Sequence, residues 1–155
     1  MGFSACAEEG KCVRKDDMAE ILEKMIKADA IVLSVPVYFY AMCAQMKTLI
    51  DRTVARYTEI TDKDFYFIVT AADEDRKALD RTIEEFRGFI SCLNGAKEKG
   101  IIHGTGAWKA GDIMRSPAME HANEDGEKSI AESIARESKP QGIPAREVPK
   151  HESFG

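Results

Sequence analysis

The chain has 155 residues, of which 44% are hydrophobic and 32% charged, and a formal net charge of −5. That is enough for one domain to bury a substantial core without staples, and charges of both signs, interspersed, offer no basic stripe to nucleic acid. The longest apolar stretch, Ala30 to Ala44, is broken by Ser34 and Pro36 and is too short to span a bilayer. Met1 to Lys11 lack the apolar core of a secretory signal. Cys6, Cys12, Cys43 and Cys92 are scattered and expected to stay reduced, so a cytoplasmic protein is expected.

Asp16-Asp17 reads as a helix N-cap before Met18, Ile21, Leu22, Met25 and Ile26, which recur at the spacing of one buried helical face. Ala30 to Val35 is a β-branched apolar run without polar alternation, the pattern of a strand covered on both faces in a parallel sheet, and Pro36 is expected to end it. A second helix follows, with Met42, Met46, Leu49, Ile50 and Val54 on one side and Lys47, Asp51 and Arg52 on the other. Arg52, Arg56 and Tyr57 near its end read as a solvated face with one packed ring. Phe65 to Val69 is the next strand. A third helix buries Leu79, Ile83, Phe86, Ile90 and Leu93 and closes at Asn94-Gly95, a pair that tolerates left-handed geometry. Ile101 to His103 is a short third strand. Ser116-Pro117 then starts a last helix with Met119, Ala122, Ile130 and Ile134 as its stripe. Helix and strand alternate throughout, which argues for a parallel sheet with helices on both faces. Residues 1–137 are expected to form the domain. From Ser138 to Gly155 the sequence is polar, holds Pro140, Gly142, Pro144 and Pro149, and reads as a tail.

Ligands of open α/β sheets bind beyond the carboxyl ends of the strands, and three segments stand there. Pro36, Val37, Tyr38, Phe39 and Tyr40 form an aromatic loop that suits a flat, apolar ligand, or else covers the sheet edge. Thr70, Ala71 and Ala72 are small and leave room for close approach, and Asp73 reads as the next helix cap. Gly104, Thr105 and Gly106, followed by Trp108, combine glycines that allow backbone donors to face a ligand with an indole that could shelter a ring. This segment lacks the third glycine of a dinucleotide fingerprint, and Lys109, Gly111 and Asp112 do not start a helix. A single histidine at a strand end, His103, is more often structural than a proton donor, and no catalytic residue is assigned. Cys6 and Cys12 have no matching second pair, because Cys43 and Cys92 fall on predicted helices, so no metal site is expected.

Gly10-Lys11-Cys12-Val13, Asp16-Asp17-Met18, Ala28 to Phe39 and Ala44 to Arg52 together resemble the flavodoxin-like NADPH-dependent FMN reductase and iron–sulfur flavoprotein family. The resemblance continues through Gly104 to Trp108, Gly111-Asp112-Ile113 and Ser116 to Met119, covering roughly residues 1 to 130. It implies an α/β, doubly wound parallel sheet. It also implies that Pro36 to Tyr40 lie against the ring of FMN, with Thr70 to Ala72 and Gly104 to Gly106 completing the pocket. The family holds the FMN phosphate with a serine-rich loop after the first strand, which this sequence lacks. The fold is therefore expected to be N-terminally truncated, without the first strand, phosphate loop, first helix and second strand. Phe3 stands at a cluster-ligand position of relatives that carry several closely spaced cysteines, so no iron–sulfur cluster is expected here.

The activity the resemblance implies is that of an FMN-dependent NAD(P)H oxidoreductase. NAD(P)H is the co-substrate, a small molecule such as a quinone or flavin is the electron acceptor, and the assembly is a dimer or tetramer. The alternative is a shortened, non-catalytic relative acting as an interaction subunit, or an incomplete gene product unable to hold FMN. Retention of the aromatic loop and of the Gly104 to Trp108 segment favours the enzyme.

Overall fold

The computed structural model describes residues 14–137, with side chains up to 132. Its first element is helix α1 (Met18–Lys27), whose start is fastened by Asp16, a side-chain oxygen of which accepts the Met18 N–H at 3.1 Å. Strand β1 (Ala30–Tyr38) and the two-residue β2 (Ala41–Met42) follow. Helix α2 (Ala44–Arg52) leads through two short 3₁₀ turns to β3 (Asp64–Thr70). Helix α3 (Lys77–Ile90), β4 (Lys97–Gly104), a 3₁₀ turn (Asp112–Arg115) and helix α4 (Ala118–Glu137) complete the order.

The strands form one sheet in the order β2-β1-β3-β4. The β1–β3 and β3–β4 pairs are parallel, as the alternation of helices and strands predicts, while β2 runs antiparallel to β1. Among the described helices none is long and apolar enough to cross a membrane.

One core lies between the sheet and the helices α1, α2 and α3. Met18, Leu22 and Met25 of α1 and Leu79, Ile83 and Phe86 of α3 close over Ile31, Leu33 and Val35 of β1 and Phe65, Phe67 and Val69 of β3. The rings of Phe67 and Phe86 lie 5.0 Å apart, and Phe65 meets Phe89 edge-on at 6.3 Å. Helix α4 covers the opposite face over Tyr66, Ile68 and Ile102.

Several expectations are corrected. β1 does not stop at Pro36 but continues to Tyr38. Pro36 is accommodated because β2 pairs only with Val37 and Tyr38, and at Pro36 the outer edge of β1 faces no strand among the described residues, the setting in which strand prolines are tolerated. Nor is β1 covered on both faces. Ile31, Leu33 and Val35 are buried, but Val32 is 57% exposed, because α4 lies over β3 and β4 and leaves an open apolar hollow beside Val32. Met42 belongs to β2 and Val54 to a 3₁₀ turn, so α2 is shorter than its apolar stripe suggests. Cys43 is the N-cap of α2 and Cys92 follows α3, so neither lies within a helix.

Asp73 is not the cap of α3. Its carboxylate accepts the Asp75 N–H, and that of Asp75 accepts the Lys77 N–H, so the chain makes two successive side-chain turns before the helix starts. Gly95 does take a positive φ of 70°, but α3 has already ended at Ile90 and the glycine turns the chain into β4. A Cβ at Gly95 would meet the Asp62 carboxylate. β4 is longer than Ile101 to His103 and carries a bulge. Phe65 pairs with Glu98 and Tyr66 with Gly100, leaving Lys99 as the extra residue. Arg52 and Arg56 are not a free solvated face: Arg52 bonds Asp16 at 2.7 Å, and Arg56 bonds Glu23 and Glu59, tying α1 to the turns after α2.

Candidate flavin site

The register sets the three segments side by side at the carboxyl ends of β1, β3 and β4: Pro36 pairs with Thr70, and Thr70 with Gly104. The loops after β3 and β4 are knitted by backbone. Ala71 N–H donates to the Gly104 carbonyl at 2.9 Å, Ala107 N–H to that of Ala71 at 3.0 Å, and Gly106 N–H to that of Asp73 at 2.9 Å. The Gly106 donor is therefore spent inside the protein rather than offered to a ligand. Gly104 has a packing cause as well: a Cβ there would lie 2.7 Å from Ile113 Cδ1 and 2.8 Å from Thr70 Cγ2.

The segment after β1 is a hairpin rather than a loop. Tyr38 pairs with Ala41 across a two-residue turn, Phe39-Tyr40, with φ of 52° and 61°. Positive φ at both central residues is the geometry that ordinarily selects Asn-Gly, so two aromatic residues here hold the backbone in a disfavoured region. Strain of this kind clusters at functional sites. Its product is a ledge of rings, Tyr38, Phe39 and Tyr40, with Phe39 fully exposed.

The other predicted positions divide. Val37 is half-buried against the core, and Ala71 is buried. Trp108 is 77% exposed, its backbone fixed by the Asp112 carboxylate, which accepts the N–H groups of Trp108 and Lys109. That bond helps a 3₁₀ turn form at Asp112, where no helix start was expected. Thr105 lines a separate hollow of about 510 Å³ beside β4, together with Arg76, His103, Ser116 and His121. There the Arg76 guanidinium lies 2.9 Å from His103 Nδ1. Burial first, and then the Arg76 charge, hold the His103 imidazole below its usual value, so the neutral ring accepts from the guanidinium.

Sequence reasoning did not find the residues that face the hairpin from α3. A hollow of about 290 Å³ beside Tyr40 is lined by Asp73, Asp75, Lys77, Ala78 and Arg81. The Arg81 guanidinium lies 5.9 Å from the centroid of the Tyr40 ring, and Glu85 Oε2 accepts the Met42 N–H at 2.9 Å. The spacing of residues 77, 81 and 85 marks one exposed helical face, but nothing in that spacing says what the face meets.

Among the described residues no cluster of His, Cys, Asp or Glu could hold a metal ion; Cys6, Cys12 and the tail from Ser138 lie outside them.

The model of the NADPH-dependent FMN reductase family matches residues 2–95, and the chain belongs to that family. An iron–sulfur flavoprotein of Methanocaldococcus jannaschii is 53% identical over 53 residues, which are 34% of this chain and 28% of that protein. An iron–sulfur flavoprotein of Methanosarcina thermophila is 50% identical over 50 residues, 32% of this chain and 26% of that one. The chain thus matches well under half the length of these relatives. Among solved structures, the Trp repressor binding protein from Bacillus subtilis superposes with a TM-score of 0.60 at 21% identity, covering 74% of this chain and 72% of that one. An NADH:FMN oxidoreductase in its apo form superposes with a TM-score of 0.56 at 11% identity, covering 93% and 70%. The fold is flavodoxin-like.

Proposed function

We propose that this chain forms the ring-binding part of an FMN-dependent NAD(P)H oxidoreductase that serves a small acceptor such as a quinone or flavin. The observation that carries this reading is the strained hairpin, which presents Tyr38, Phe39 and Tyr40 at the strand ends where the sheet also delivers Thr70 and Gly104. The fit is to the flavin ring system: the exposed rings of Tyr38, Phe39 and Tyr40 offer π-faces on one side, and the backbone-knitted turns after β3 and β4 stand at the neighbouring strand ends.

Bound FMN would supply the hydride and electron-transfer chemistry between nicotinamide and acceptor. The chain's own part is to orient the ring on the aromatic ledge and keep one side of it from water. No side chain near the hairpin is assigned a proton-transfer role. The proposed assembly is a dimer or tetramer working in the cytoplasm, and sedimentation as a monomer would count against it.

A visible absorption spectrum, taken on the purified protein and again after incubation with FMN and desalting, tests the reading. A retained flavin band that bleaches with NADPH supports it, whereas a protein that stays colourless overturns it. The open apolar face at Val32 favours a second reading, an interaction subunit, which a colourless protein would leave standing.

A further inference from the structure

The aromatic hairpin is gripped from one side by two side chains a turn apart on α3. In a two-residue hairpin the pair that closes the turn exchanges its hydrogen bonds and the next pair exchanges none. Tyr38 and Ala41 are the closing pair and Val37 and Met42 the next, so the Met42 N–H points away from β1. Among the described residues β2 is the edge of the sheet, with no further strand to receive that N–H. Glu85 Oε2 does so at 2.9 Å, from 43 residues along the chain. Four positions earlier, Arg81 lies over the Tyr40 ring. Arg56 and Arg87 are engaged by carboxylates; Arg81 is turned to a ring instead.

We propose that Glu85 and Arg81 are positioning residues for the flavin site, latching Phe39-Tyr40 in the left-handed turn that presents the three rings. The proposal rests on the flavin reading above for its ligand, but not for the latch itself. The left-handed conformation is disfavoured at both residues, so it persists only where its surroundings over-determine it. Here the surroundings are a backbone hydrogen bond just after the turn and a cation on the ring within it. A ligand that binds only the presenting form has its affinity reduced by the fraction of time that form is populated. If release of the latch leaves the hairpin presenting about a tenth of the time, FMN binds about tenfold more weakly.

The test compares Glu85→Ala, Glu85→Gln and Arg81→Ala with the parent chain. The readouts are amide exchange of the hairpin in flavin-free protein, FMN affinity from quenching of flavin fluorescence, and the urea midpoint as a check of folding. Glu85→Ala is expected to speed exchange at Met42 and weaken FMN about tenfold, and Arg81→Ala to do so less. Glu85→Gln is expected to restore both readouts, because its amide oxygen still accepts the Met42 N–H.

Failure of Gln to rescue overturns the hydrogen-bond role. An affinity loss with unchanged hairpin exchange overturns positioning, since Glu85 would then act on the ligand itself. If the parent chain binds no FMN, the flavin reading and the site role fall together. The exchange data then still decide the latch: protection lost in Glu85→Ala and kept in Glu85→Gln supports it, and equal protection in both overturns it.

Discussion

Replacing Phe39 by asparagine isolates the cost of the turn, because Phe39 is fully exposed and its ring contributes no burial to be lost. Its φ of 52° places an L-residue in the left-handed region, at a cost of roughly 1–2 kcal/mol. Asparagine enters that region more readily and is the residue favoured at this position of such hairpins. Phe39→Asn should therefore raise the stability of the fold by about 1 kcal/mol. With a urea slope of about 2 kcal/mol per molar, the midpoint of a urea titration followed by circular dichroism rises by about 0.5 M. The substitution also removes one ring from the proposed ledge, and losing one aromatic contact weakens FMN by about 2- to 10-fold. An unchanged or lower midpoint refutes the claim that the turn stores strain. A higher midpoint with unchanged FMN affinity refutes a ligand role for Phe39.

Gly104→Ala forces a Cβ to within 2.7 Å of Ile113 and 2.8 Å of Thr70, and should cost about 1–3 kcal/mol in thermal denaturation. Gly88→Ala, inside α3 with nothing within 4 Å of the added carbon, should instead stabilise by about 0.5–1 kcal/mol. Phe67→Ala and Phe86→Ala each empty a fully buried site and should cost about 3–5 kcal/mol; the double variant should fall short of their sum by about 0.5–1.5 kcal/mol, because the rings touch. His103 is held below 6.5 by burial and then by Arg76, so the unfolded chain binds its proton more readily. Its contribution is complete above 6.5 and declines as pH falls from 6.5 towards the lowered folded value. Urea midpoints of His103→Gln should vary less with pH across that window, and an equal slope in both proteins would contradict the assignment.

The architecture was legible where periodicity is strong. The buried stripes of α1 and α3 and the apolar runs at Ile31 and Phe65 identify helices and strands that alternate, and alternation dictates the parallel pairs. β2 escaped because Phe39-Tyr40 carries none of the turn chemistry by which a hairpin announces itself; a tight reversal built from two aromatic residues reads as an aromatic loop. The exposed face of β1 escaped for a different reason. An apolar strand shows that its neighbours could bury both faces, but whether a helix reaches that far depends on where α4 crosses the sheet. That the three candidate segments lie side by side follows from the strand ends. Arg81 and Glu85 do not, since their partners lie about 40 positions away along the chain and the pairing exists only once α3 has packed beside β2.

The bulge at Lys99 gives β4 a spare residue. Upstream of it, Glu98 points toward α3, where Arg87 binds it at 2.7 Å; downstream, Gly104 occupies the narrow gap between Thr70 and Ile113. Both placements hold because the bulge absorbs Lys99 and keeps Glu98 opposite Phe65 and Gly100 opposite Tyr66. Removing Lys99 would close the bulge into a regular ladder with the same pairs, leaving Glu98 beside Arg87 and Gly104 in its gap. The strand therefore carries a slack of one residue at this point, set by the pleat and not by the chemistry of any side chain.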